Sequence, residues 1–150
     1  MRDGSLPARL SAIDKVRLAI EIAAAYTRVL WLLRRDGLPG TIATLRASPH
    51  AADGGPAVGA SPQAAVDPLT DGRRLGRAVV RTLAPLPRGS RCLTRSLVLL
   101  SLLARRGVAV DLVIAVQPSA DPSLDAHAWV EVDGSPLLVP ALDYGRLVTL

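Results

Sequence analysis

Residues 91–106 constrain the fold more than any other part of the chain. Their apolar side chains cover most of the circumference of a helix, and such a helix has to be buried. The nearly unbroken apolar run at 97–104 is far shorter than the ~20 residues that a membrane span needs. Gly107 stands where a left-handed residue would close the helix. We therefore predict a central helix that the rest of the domain surrounds.

The composition fits one domain with an aliphatic core. The chain has 150 residues, of which 49% are hydrophobic, and this is enough to bury a core. Phe is absent and there are two Trp and two Tyr, so aliphatic residues must build that core. One Cys cannot form an intrachain disulfide, and one Cys with two His cannot supply four zinc ligands. We predict no metal site and no cofactor.

Charge is distributed unevenly along the sequence. Residues 71–106 contain nine Arg and one acidic residue, whereas residues 107–150 contain one Arg and six acidic residues. The basic half fits a solvated helix surface or a docking surface for an acidic peptide or partner. Nucleic acid fits less well because aromatic stacking platforms are missing. Charges among the first apolar residues disrupt any secretory signal, so we predict a cytoplasmic protein without a membrane segment.

Apolar periodicity predicts helices first and strands afterwards. The predicted elements are a helix at 11–35 stopped by Gly37-Leu38-Pro39-Gly40, a short helix at 41–46, a helix at 75–83, the central helix, and strands at 108–116, 126–132 and 137–139. Asp133-Gly134 is a strong hairpin signal. The predicted fold is α+β, with helices packed on a small antiparallel sheet. The predicted regions are an N-terminal helical region at 1–47, an Ala/Gly/Pro-rich linker at 48–72, and a core at 73–150.

Cys92 lies in the first turn of the predicted central helix, two residues after Ser90, the predicted N-cap. The thiolate is the reactive form of cysteine, and a helix N-terminus stabilises an anion. Arg88, Arg91 and Arg95 are close in sequence and would act in the same direction. The alternative is that Cys92 is a small buried hydrophobic residue.

His127 supplies the base that such a thiol needs. In the strand at 126–132, alternation places His127, Trp129 and Glu131 on one face and small apolar residues on the other. A thiol at a helix N-terminus opposed by a strand histidine is the arrangement of papain-like acyl transfer. We predict Cys92 as nucleophile, its backbone N–H as one oxyanion donor, and His127 as general base. Trp129 is expected beside or over the site, and Glu131 is expected to be solvated or to contact substrate.

Asp125, Asp133 and Asp143 are the candidates for the group that orients the histidine. Asp133 lies about 20 Å along the strand from His127, and the turn already explains it. Asp125 is a neighbour of His127 at the start of the same strand. After a turn of two to four residues, the position opposite His127 falls at 140–142, so Asp143 is the predicted third residue. His50, in the predicted linker, has no predicted role.

Two stretches resemble the lasso-peptide leader peptidases, a family with the transglutaminase-like fold. They are residues 92–107, which begin CLTRSL and end LARRG, and residues 126–134, AHAWVEVDG. The Leu-Arg-Arg at 33–35 is similar to the upstream region of that family. The resemblance covers about residues 85–145. The family's aspartate usually comes closer to the histidine, near Val139, which is apolar here, so Asp143 would be a displaced or weak third member.

The resemblance implies a transglutaminase-like Cys-His-Asp protease that removes the leader from a ribosomally made precursor peptide. It implies two further partners, a small leader-recognition protein and a macrolactam-forming cyclase. No winged-helix leader-binding domain precedes the protease region, so leader recognition on a separate chain is expected. The basic residues at 73–95 would then bind that partner or an acidic leader.

Two other functions fit the same residues. One is an amide-forming acyltransferase, which would pass the acyl group on Cys92 to an amine rather than to water. The other is a non-catalytic basic adaptor, in which Cys92 fills the core and the arginines bind an acidic partner.

Overall fold

Three helices precede a four-stranded antiparallel sheet in the computed structural model, which describes residues 11–47, 67–86, 91–117, 125–137 and 145–149. The helices are α1 (Ala12–Ala47), α2 (Pro68–Leu83) and α3 (Cys92–Ala104). The strands are β1 (Asp111–Gln117), β2 (Asp125–Val132), β3 (Ser135–Pro136) and β4 (Gly145–Thr149). This order confirms the predicted α+β fold. Among the described residues, no helix is both long and apolar enough to cross a membrane.

The long helix α1 is interrupted where the sequence predicts a stop. Gly37 has φ 66° and ψ −173°, a conformation that glycine adopts because it has no Cβ. Pro39 follows in the first turn of the second helical segment, where a missing N–H costs little. The Thr41 hydroxyl donates a hydrogen bond to the Gly37 carbonyl at 2.6 Å. The predicted helix, break and short helix are confirmed.

Helix α2 begins at Pro68, inside the range predicted as linker. The Asp67 side chain accepts a hydrogen bond from the Leu69 N–H at 3.2 Å and caps the helix. Proline is favoured at the first helical position because its missing N–H would have no helical partner there. The sequence prediction therefore started this helix too late. The rest of the predicted linker, residues 48–66, lies outside the described residues, and the division into three regions stays a prediction.

Helix α3 is the centre of the core, as predicted. Residues 96–103 are all buried, and α3 contacts the other two helices and strands β1 and β2. Each fully buried Leu of this segment contributes about 1.5–3 kcal/mol relative to an exposed one. The helix ends in a Schellman motif, in which Val108 N–H bonds Leu103 O and Gly107 N–H bonds Ala104 O, both at 3.0 Å. Gly107 has φ 72°, which confirms its predicted left-handed role.

The sheet has the order β3-β2-β1-β4 and is antiparallel throughout. Asp133 (φ 48°) and Gly134 (φ 74°) form the two-residue turn between β2 and β3, as predicted. Strand β1 starts three residues later than predicted, because Val108 completes the helix closure. Strand β3 begins two residues before the predicted third strand at 137–139, and the last two residues of that prediction lie outside the described residues. Strand β4, which the sequence did not predict, pairs with β1.

The two faces of the sheet belong to different clusters. The face of β2 that carries Ala128 and Val130 packs into the main core with the three helices. The opposite face carries Trp129, which is buried with Val113 and Ala115 of β1 in a second cluster. His127 shares this second face because strand side chains alternate.

We expect Gly107→Ala to lower the free energy of unfolding by about 1–2 kcal/mol, because a Cβ is disfavoured at positive φ. Gly107→Asn is the matched control, since Asn tolerates the left-handed conformation better, and it should lose less. Urea denaturation followed by circular dichroism measures both. An alanine variant as stable as the parent protein would contradict the proposed closure of α3.

Candidate active site

Cys92 is the first residue of α3 and is half-buried. The N-cap is Arg91, so the prediction of Ser90 as N-cap is wrong, and Ser90 itself lies outside the described residues. The Arg91 side chain makes no capping hydrogen bond, and a guanidinium has no acceptor with which to make one. The first backbone N–H bonded within the helix is that of Arg95, to Arg91 O at 3.2 Å. The N–H groups before it are free of helical partners and favour an anion at this end.

Helix α3 docks against the outer edge of β2 through two side chains one turn apart. The Cys92 thiol lies 3.8 Å from the Ala126 carbonyl oxygen, and the buried Ser96 hydroxyl donates to the Ala128 carbonyl at 2.9 Å. Four helical residues rise about 6 Å and two strand residues span about 6.6 Å, so the two spacings match. Sequence reasoning missed Ser96, although a serine one turn after the cysteine in an apolar helix was a signal.

His127 lies next to this contact along β2. Its backbone pairs with Ala115 of β1, and its side chain is half-buried. Peptide geometry puts the His127 Cα about 2.8 Å from the Ala126 oxygen, so the Cys92 sulfur lies within roughly 7 Å of that Cα. The structure therefore brings Cys92 and His127, 35 residues apart in sequence, to the same end of β2.

Trp129 and Glu131 form a rigid support beside the imidazole. The rings of His127 and Trp129 stack with centroids 6.0 Å apart and an interplanar angle of 29°. Trp129 Nε1 donates a hydrogen bond to Glu131 Oε1 at 2.8 Å, and both residues are 4% exposed. The expected position of Trp129 beside the histidine is confirmed, whereas the expectation of a solvated Glu131 is wrong. The alternation of strand side chains, which places Trp129 and Glu131 on the same face, was the sequence signal for this contact.

The other predicted site residues are only partly described. Arg91 is exposed and Arg95 half-buried, while Arg88 lies outside the described residues. Asp143 also lies outside them, and its role stays a prediction. The prediction of Asp143 assumes that the strand after the turn pairs with β2 as far as His127. Within the described residues, β3 pairs with Glu131 and Val132 only. Nearer to His127, the same edge of β2 faces α3 through the Cys92 and Ser96 contacts.

The described residues contain no group of three His, Cys, Asp or Glu side chains placed to hold a metal ion. Residues 23–147 match the family model described as the transglutaminase-like superfamily. The matched range covers most of the chain and includes both Cys92 and His127. Members of this superfamily are generally cysteine peptidases or acyltransferases. No curated protein and no solved structure matches the chain significantly.

We expect Ser96→Ala to reduce the free energy of unfolding by about 1–3 kcal/mol, because it leaves the Ala128 carbonyl without its donor in a buried place. Thr27→Ala is the control, since Thr27 bonds a carbonyl of its own helix at an exposed position, and it should change stability by at most about 0.5 kcal/mol. Thermal and urea denaturation measure the difference. Equal effects of the two substitutions would refute the docking role of Ser96.

Proposed function

The chain belongs to the transglutaminase-like superfamily, and we propose that it is a cysteine peptidase that removes the leader from a ribosomally synthesised lasso-peptide precursor. The main support is the contact of the Cys92 sulfur, at the start of α3, with the carbonyl that immediately precedes His127. The resemblance of residues 92–107 and 126–134 to the leader peptidases supports the choice of substrate.

In the proposed acylation step, His127 takes the proton of the Cys92 thiol, and the sulfur attacks the carbonyl carbon of the scissile peptide bond. The backbone N–H of Cys92, at the open start of α3, donates to the oxygen of the tetrahedral intermediate. Collapse of this intermediate breaks the C–N bond, and the imidazolium of His127 gives its proton to the departing amine. The product is a thioester on Cys92 and a free amine.

Deacylation uses the same groups with water as the nucleophile. His127 removes a proton from the water, whose oxygen attacks the thioester carbonyl, and the sulfur leaves and is reprotonated by the imidazolium. The Trp129 ring and its bond to buried Glu131 restrict the orientation of His127 throughout. Asp143 is proposed as the third residue that orients the imidazole.

The proposed reaction involves more than one polypeptide. The substrate is the leader-bearing precursor peptide. We propose that a separate leader-recognition protein presents it to Cys92 and that a macrolactam-forming cyclase uses the released core peptide. Both proposals rest on the resemblance to the leader peptidases.

We expect Cys92→Ala and His127→Ala each to lower kcat/KM for precursor cleavage at least about a thousandfold, because each removes a reacting group. Cleavage of a purified precursor, with the leader-recognition protein present, is followed by mass spectrometry. His50→Ala is the matched control and should cleave normally. Cys92→Ala with normal activity would end the proposal.

The same assay separates the peptidase from the acyltransferase and tests Asp143. Hydrolysis gives two products whose masses sum to the precursor plus one water, whereas acyl transfer to an added amine gives an amide adduct. Asp143→Asn should lower kcat, and Asp125→Asn should not. The reverse pattern would move the third role to Asp125.

Alkylation distinguishes an enzyme from a basic adaptor. We expect the native protein to react with iodoacetamide at neutral pH faster than the same chain unfolded in urea, because in the proposed mechanism His127 acts as the general base that takes the thiol proton. His127→Ala should slow the native reaction without slowing the unfolded one. A native protein that reacts more slowly than its unfolded form would favour the adaptor, with Cys92 as core filling.

A further inference from the structure

A cleft with a volume of about 1170 Å³ separates α1 from α2, at the end of α3 remote from Cys92. Its floor is apolar and is formed by Leu18, Leu75, Leu103 and Val108. Leu103 lies eleven positions after Cys92 in α3, which corresponds to about 16 Å along the helix axis. The cleft is therefore distinct from the candidate active site.

The walls of the cleft are mostly cationic. Arg74, Arg77 and Arg81 project from one face of α2, because their spacing of three and four residues follows the helical repeat. Lys15 and Arg17 line the opposite wall on α1. Within the described residues, none of these five side chains takes part in a salt bridge, and all are exposed.

The acidic residues of the cleft do not offset this charge. Glu21 is paired with Arg106 at 3.2 Å. Asp14 accepts a hydrogen bond from the Ser11 N–H at the start of α1, and Asp71 lies in the first turn of α2. Carboxylates at these two helix starts are already stabilised by the helix dipoles. The unpaired arginines and Lys15 remain to meet a negatively charged ligand.

We propose that this cleft binds an acidic segment of a second polypeptide, with its apolar side chains on the floor and its carboxylates between the two basic walls. Among the described residues, no aromatic side chain lines the cleft, which disfavours single-stranded nucleic acid because bases require stacking partners. A second copy of this chain is a weaker candidate, because two molecules with a net charge of +5 repel each other as a whole. The ranges 1–10 and 48–66 contain one acidic residue each and do not supply it either. The proposal is independent of the thiol chemistry.

The test uses fluorescence anisotropy with a labelled peptide in which Glu alternates with Leu and Gly. The full chain is compared with Arg74→Glu/Arg81→Glu, in the cleft, and with Arg34→Glu/Arg105→Glu, which makes the same charge change at exposed positions outside it. Physiological salt is used because it screens effects of net charge beyond about 8 Å. Circular dichroism verifies that both variants fold.

We expect the cleft pair to raise Kd at least about tenfold, because carboxylates would meet like charge, and the control pair to change it by about threefold or less. The same peptide with Gln in place of Glu should bind more weakly than the acidic one. Equal weakening by the two pairs, or no binding of the acidic peptide to the parent protein, would overturn the proposal. Tighter binding of a single-stranded oligonucleotide of equal charge would overturn it in favour of a nucleic-acid site.

Discussion

The docking of α3 along the outer edge of β2 is the interaction on which the rest of the molecule depends. An exposed strand edge leaves carbonyl groups without donors, and here Ser96 supplies one of those donors from inside the most apolar of the described helices. Because the helical turn and the strand repeat have similar lengths, Cys92 reaches the next carbonyl of the same edge. One packing arrangement thus completes the core and fixes the position of the thiol.

The two faces of β2 have different roles, one in the core and one at the candidate active site. One face of the strand, with Ala128 and Val130, is committed to the helical core. The other face carries the histidine and the Trp129–Glu131 pair, in which the buried Glu131 side chain accepts a hydrogen bond from the indole N–H. Breaking this buried hydrogen bond would cost free energy, because the two polar groups would then be left without partners. It therefore holds the ring beside His127 in one place.

Helix α3 also connects two separate regions of the molecule. Its first residue bears the thiol at an uncapped N-terminus, and its last turn forms part of the floor of the basic cleft. The helices that wall the cleft are the ones that bury α3, so the cleft has the same rigid support as the candidate active site. A polypeptide bound in the cleft would lie about 16 Å from the sulfur along the helix axis.

The sequence by itself determined the elements whose signals are local: the central helix, its closure at Gly107, the break at Gly37, the Asp133-Gly134 turn, and the nomination of Cys92 and His127. These signals are apolar periodicity, left-handed glycines and strand alternation, and each can be read from residues that are close together in the sequence. The tertiary structure alone decided the Ser96 contact, the burial of Glu131, the pairing of β4 with β1, and the cleft between α1 and α2. Each of these depends on which distant segments meet, and patterns among neighbouring residues do not specify such contacts.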